Sequence, residues 1–161
     1  MGKSPVITDG EQTIIESGAI IDYLLRHYGT GQLLPQPGRV EHEQYLQWLH
    51  YGESGAVLPL MLKLYTSKLP DGGAGLQPRI SDELARHLGY VEKCLEGVDW
   101  LVGNSFSGAD IQLSFVAEVA PLLYSLDDLP NLAAFRDRCQ NRPAYRRVLA
   151  NSEPYAYGPK D

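Results

Sequence analysis

Residues 3–28 read KSPVITDGEQTIIESGAIIDYLLRHY, and their pattern decides how the rest of the chain is understood. A short apolar run led by Pro5 meets Asp9-Gly10, then the β-branched run Thr13-Ile14-Ile15, then Glu16-Ser17. An Asp-Gly pair between two such runs is a strong hairpin signal, because both residues reach positive φ at low cost. Beyond Ser17, the residues Ile20, Ile21, Leu24, Leu25 and Tyr28 recur at three- and four-residue spacing, the stripe of a helix that packs on the hairpin. Glu16-Ser17 therefore opens a helix, where unpaired backbone N–H groups and partial positive charge offer a place for an anion.

Outward from this unit the chain changes character. Gly29 to Gly38 carries glycine and proline at both ends and reads as a linker. A long helical pattern follows from Arg39 to about Leu69, with Gly52, Gly55 and Pro59 in its middle, so a bend is expected near Gly55 to Pro59. After the glycine-rich loop at 70–75, a helix is expected from about Pro78 to Leu95. In the stretch FSGADIQLSF, Ser107 stands three residues before Asp110, a capping-box spacing, with Phe106 and Ile111 placed for a hydrophobic staple. The helix that starts there, Gly108 to Ser125, is apolar around most of its circumference and should lie at the centre of a bundle. Shorter helices are expected over about Leu129 to Gln140 and Pro143 to Ala150, the second opening on a proline suited to a first helical position. The organisation is a β-hairpin with a helix over residues 1–29, a linker over 30–38 and an all-α bundle over 39–161.

A chain of 161 residues can bury a sizeable core without staples. The net charge of −6 argues against a nucleic-acid or anionic-membrane partner, since either would call for a basic face. The late arginines 136, 138, 142, 146 and 147 fit a solvated helix face better than a nucleic-acid patch. Cys94 and Cys139 lie far apart with no paired spacing, which suits buried or half-buried thiols in a reducing cytoplasm. His27, His42, His50 and His87 share no metal-ligand spacing, so no metal cofactor is expected. No signal-peptide pattern and no apolar run of bilayer length are present, and the expectation is a soluble cytoplasmic protein.

Two places in the first unit could hold a ligand. A cis Ser4-Pro5 bond would leave the Ser4 backbone open to extended pairing with a peptide-like molecule. At the Glu16-Ser17 corner, backbone amides and the Ser17 hydroxyl could hold a carboxylate while Glu16 meets an ammonium. A ligand with a peptide backbone and an amino-acid head group would satisfy both. An ordinary helix cap and a trans Ser-Pro bond are the commoner explanations of the same residues, and spacing alone favours them.

The combination of KSPVITDG with IIESGAIIDYLLRHYG resembles the second half of the thioredoxin-like domain of cytosolic glutathione transferases. FSGADIQLSF resembles the opening of the central helix of that family's all-α domain, and the likeness runs through essentially the whole chain in the family's order. The resemblance implies an α-rich fold: the remnant of a thioredoxin-like α/β domain followed by an all-α C-terminal bundle. It implies glutathione as co-substrate, with Ser4 bonding its cysteinyl backbone, Pro5 cis, Glu16 and Ser17 holding the γ-glutamyl end, and Lys3 near the glycyl carboxylate. It also implies a small apolar electrophile as second substrate, against a wall to which Tyr51, Leu58 or Leu122 could contribute, and a homodimer. The intact form would transfer the glutathione thiol to an electrophile or use it to reduce a peroxide or disulfide.

The chain departs from the family at its start. The family's first strand, first helix and second strand would precede Met1, and with them the Tyr, Ser or Cys that activates the thiol. No residue here is assigned that catalytic role, and the expectation is that residues 1–161 alone are inactive. A non-catalytic binding or dimerisation module is the alternative. The hairpin, marginal by itself, is expected to find cover from the helical part or from a neighbouring chain.

Overall fold

A computed structural model describes residue 2 and residues 4–159. Two antiparallel strands, β1 (Val6–Asp9) and β2 (Gln12–Ile15), lead into α1 (Ser17–His27). The pairing runs Val6 with Ile15 through Asp9 with Gln12, so the two-residue loop is Gly10-Glu11, one position later than the Asp-Gly pattern suggests. Of these two only Gly10 takes positive φ, at 58°. That is the demand of a turn needing glycine at its first central position, whereas the other tight hairpin turn needs positive φ at both. Asp9 is left outside the loop, and its carboxylate accepts hydrogen bonds from Tyr23 Oη at 2.6 Å and from Tyr28 Oη, pinning the hairpin tip to α1. Val6 and Ile15 remain exposed, so the helical part does not provide the cover expected for the hairpin.

The long helical pattern resolves into three pieces. Helix α2 (Val40–Tyr51) passes into a π-helical turn over Gly52–Ala56, and α3 (Val57–Thr66) continues beyond it. The Val57 amide donates to the Gly52 carbonyl, five residues back. In a regular helix the Pro59 ring would press on the carbonyl four residues before it, and the widened turn lies directly there. Helix α4 (Gln77–Cys94), α5 (Gly108–Leu123), α6 (Pro130–Gln140) and α7 (Pro143–Ala150) complete the chain.

Helix α5 is the centre, packed against α1, α2, α3 and α6. Its Leu113, Val116, Ala117 and Ala120 are fully buried among Tyr45, Leu60, Leu84, Leu88, Leu132 and Phe135. The expected capping box is formed at its start. Ser107 Oγ accepts from the Ala109 amide at 3.3 Å, and Asp110 Oδ2 accepts from the Ser107 amide at 2.8 Å. Phe106 turns its ring edge-on to Trp100 with centroids 4.8 Å apart, while Ile111 remains partly exposed. The segment between α1 and α2 lies against this cap, since the Gly108 amide donates to the Leu33 carbonyl at 3.0 Å. A close approach joins the first unit to α5: a Cβ at Gly108 would sit 2.7 Å from Ile21 and 2.8 Å from Leu25. No helix among the described residues is long and apolar enough to cross a membrane.

Candidate functional site

The Glu16-Ser17 corner lies where the first unit meets the bundle. Glu16 precedes α1 with φ 70° and ψ 120°, a conformation that L side chains seldom adopt. Such a residue costs about 1–3 kcal/mol, and it persists where the surroundings impose it. The turn from β2 into α1 is that abrupt because Ile15 is still paired with Val6 while Ser17 is already helical. Neither side chain caps the helix, so the ordinary explanation of a Glu-Ser pair at a helix start does not apply. The first amides of α1 thus end at the corner without a side-chain acceptor, in a position to meet an anion.

Ser17 is half-buried and tied to the bundle instead. Gln112, on α5 and only 7% exposed, donates through Nε2 to Ser17 Oγ at 2.9 Å and to Glu53 Oε2 at 3.2 Å. Ser17 Oγ stands 3.5 Å from the same Glu53 oxygen. A cavity of about 490 Å³ opens beside the cluster, lined among others by Glu16, Gly18, Asp22, His50, Glu53 and Ser54. Glu16, Glu53 and the unmatched start of a helix therefore border one space with Leu46 and Leu49, while Asp22 at its edge is ion-paired with Arg26 at 2.7 Å. The arrangement suits a ligand that carries an ammonium and a carboxylate on neighbouring atoms, as the head group of an amino acid does.

Of the residues expected at a ligand site, Ser4 and Pro5 are exposed ahead of β1 and the peptide bond between them is cis. Glu16 and Ser17 are adjacent at the corner. Lys3 lies outside the described residues. Leu122 is not brought together with Tyr51 and Leu58: it lines a cavity with Arg136 and Tyr157, whereas Tyr51 turns toward α4, with Oη 2.9 Å from His87 Nδ1, and Leu58 lines a groove that His87 also borders. Leu58 is 56% exposed and lines a groove with Pro59 and Leu62 that adjoins the site cavity through Ser54. Leu58 and Leu122 are thus surface residues rather than core.

Sequence reasoning passed over Glu53 and Gln112. The available signal was Gln112 itself, a lone amide in the apolar run Ile111 to Val116 on the face that carries Ala109 and Val116. Glu53 gave none, because its place beside Ser17 depends on the widened turn at 52–56. Among the described residues, no group of three or more His, Cys, Asp or Glu is placed to hold a metal ion.

The comparisons with known proteins agree with this architecture. The family model for the glutathione S-transferase C-terminal domain matches residues 57–143, and that for the N-terminal domain matches residues 1–35. Glutathione S-transferase 3 of Schizosaccharomyces pombe is 27% identical over 164 residues, covering 91% of this chain and 66% of that protein. A glutathione S-transferase of Actinobacillus pleuropneumoniae superposes with a TM-score of 0.83 at 30% identity, over 93% of this chain and 69% of that one. A sphingomonad glutathione S-transferase complexed with glutathione superposes with a TM-score of 0.77 at 26% identity, over 93% of this chain and 74% of that one. The chain spans between 66% and 74% of the length of these three proteins. By these matches and by its fold, it belongs to the glutathione S-transferase family.

Proposed function

We propose that this chain holds glutathione at the Glu16-Ser17 corner and serves a glutathione transferase reaction, with an electrophile as second substrate. The observation that carries the reading is the corner itself: an uncapped helix start, a strained Glu16 and a half-buried Ser17 beside a cavity edged with carboxylates. The γ-glutamyl end of glutathione is an amino-acid head group, and its carboxylate meets the α1 amides and the Ser17 hydroxyl while Glu16 faces its ammonium. Ser4 offers its backbone to the cysteinyl residue ahead of the cis proline, and Lys3 pairs with the glycyl carboxylate. Residues 1–29 form the glutathione-binding unit, 30–38 the linker and 39–161 the apolar-substrate side. A cytoplasmic location suits the two free thiols.

Residues 1–161 alone bind glutathione and conjugate it poorly. The groups gathered at the corner hold the charges of the head group, away from the thiol, and the thiol's activation is assigned to none of them. Calorimetry with glutathione on the wild type and on a Glu16→Ala, Ser17→Ala double variant tests the site. Binding by the wild type that the double variant loses is the expected result, and equal heats would remove the assignment. Robust conjugation of an aromatic halide by residues 1–161, free of host enzyme, would overturn the expectation of weak activity.

The exposed apolar residues of α1 and α3, among them Leu24, Leu58, Leu62 and Tyr65, support a homodimer whose interface crosses these helices.

A further inference from the structure

One carboxylate on α5 is shared between the bundle and the tail. Glu118 is only 5% exposed. Its Oε1 accepts from Tyr145 Oη on α7 at 2.5 Å and from Gln140 Nε2 on α6 at 3.1 Å, so the bundle serves that oxygen twice. Its Oε2 accepts from Tyr155 Oη of the tail at 2.9 Å and, among the described residues, from no other group. The tail beyond Ser152 is otherwise lightly held. The Gly158 amide donates to the Tyr155 carbonyl at 3.2 Å, a turn internal to the segment, and Tyr157 meets Tyr155 and Phe115 edge-on, with centroids 5.6 and 5.9 Å away. Among the described residues, the Tyr155 hydroxyl makes the one hydrogen bond that ties 153–159 to a helix.

A cavity opens on each side of this segment. One, of about 440 Å³, is bordered by Phe115, Val148, Leu149, Pro154 and Tyr155, and the other, of about 410 Å³, by Leu122, Gln140 and Tyr157. Glu118 lines both, so residues 154–159 form a strap between two openings onto one buried carboxylate. Lifting the strap leaves Oε1 with its two donors and the side chain in place. It uncovers an Oε2 without a partner at the edge of an apolar cavity, and an unmatched buried acceptor is costly until a ligand supplies a donor.

We propose that the cavity beside Phe115 is a second small-molecule site, closed by the tail, that takes a phenol: the ring lies against Phe115, Val148 and Leu149, and the hydroxyl donates to Glu118 Oε2 in place of Tyr155. The strap carries the match, since Tyr155 is itself a phenol bonded to that oxygen. The volume lies within the range of about 300–1,000 Å³ usual for small-molecule sites. The site shares no lining residue with the cavity at the Glu16-Ser17 corner. Tail and ligand compete for one oxygen, so the apparent affinity is lowered by the fraction of molecules in which the strap is closed.

Calorimetry on the full chain with 4-ethylphenol and with its methyl ether, 4-ethylanisole, tests the proposal. Wild type is expected to bind the phenol weakly and the ether more weakly still, because the ether cannot donate. Tyr155→Phe keeps the ring and loses the anchor, and it is expected to bind both about tenfold more tightly, the scale of one hydrogen bond to a charged group. Val148→Asp, at a position 67% exposed on the cavity wall, is expected to weaken both severalfold. In Glu118→Gln the carbonyl oxygen stays with Tyr145 and Gln140 and the NH₂ group takes the place of Oε2, so the preference for the phenol should vanish. Thermal unfolding of each variant is measured first, and should Glu118→Gln fail to fold, the comparison of phenol with ether on wild type and Tyr155→Phe carries the test.

Equal affinity of wild type and Tyr155→Phe for 4-ethylphenol would overturn the strap and the proposal with it. Equal affinity of Tyr155→Phe for the phenol and the ether would remove Glu118 from the site, and unchanged binding by Val148→Asp would remove the cavity. No binding of either compound by Tyr155→Phe would also overturn the proposal. Glutathione binding at the corner is read in a separate titration, so the proposed function stands or falls apart from these results.

Discussion

Asp110 is completely buried and carries three acceptor contacts: the Ser107 amide at 2.8 Å, the Ser107 hydroxyl at 3.2 Å and the Leu101 amide at 3.0 Å. It therefore closes the start of α5 and ties the preceding loop to it. Asp110→Ala leaves these donors without partners as well as removing the cap, and a loss of about 2–4 kcal/mol is expected in urea unfolding. Burial pushes the Asp110 carboxyl above its ordinary value of 3.8, against the opposing pull of the donated hydrogen bonds. The fold therefore favours the protonated form, and this contribution to stability is present below pH 3.8 and lost as pH rises through the folded pKa. The difference in unfolding free energy between the wild type and Asp110→Asn should decline across that window in a pH series, and a flat difference would contradict it. Ser107 and Asp110 were readable from spacing because a cap is a local event, three residues long. Gln112, two residues on, was not: its partners are 95 and 59 positions away.

At the scale of elements, the helices of the bundle follow their apolar periods closely, and the exceptions are instructive. Gly52, Gly55 and Pro59 announce an interruption, yet composition cannot say whether a helix kinks, breaks or widens there. The five-residue turn at 52–56 is settled by α4 and α5, which pack against it. The start of α6 shows the same dependence on a neighbour. Leu129 provides no side-chain cap, and Glu92 on α4 does so from outside, accepting from the Asn131 amide at 3.0 Å and the Leu132 amide at 2.8 Å. A carboxylate at a helix N-terminus also meets the positive end of the dipole. Glu92→Ala should cost about 1–2 kcal/mol in denaturant unfolding, and Glu92→Gln less, because the amide keeps an acceptor without the charge. Equal losses for the two variants would show that the charge adds nothing. The slip of the hairpin loop by one residue is of the same kind. The sequence pattern marks a turn, and the pairing of Asp9 with Gln12 and the bonds from Tyr23 and Tyr28 to Asp9 choose its register.

The whole molecule is held at both ends of α5. At its start Gln112 joins the first unit to the bundle. Farther along, Glu118, 5% exposed, accepts from Tyr145 Oη on α7 at 2.5 Å, Gln140 Nε2 on α6 at 3.1 Å and Tyr155 Oη in the tail at 2.9 Å. The segment after α7, which has no period of its own, meets that carboxylate through Tyr155 and sets Tyr157 edge-on to Phe115 of α5 with centroids 5.9 Å apart. On the outside, Leu58 and Tyr65 of α3 leave apolar surface in water. Light scattering is expected to report a mass near twice the 17.8 kDa of one chain, and Leu58→Glu to lower it toward one chain. A monomer mass at high protein concentration would overturn the dimer. The sequence by itself determined the element order, the central place of α5, its cap and the family, because these rest on local periods and short-range spacings that any chain carries in linear form. The tertiary structure alone decided that Glu16 and Ser17 do not cap their helix, that Leu122 lines a different cavity from the groove of Leu58, and that Glu53 and Gln112 stand beside Ser17. Those outcomes depend on contacts between residues far apart in the chain, which exist only once α1, the turn at 52–56 and α5 have packed together.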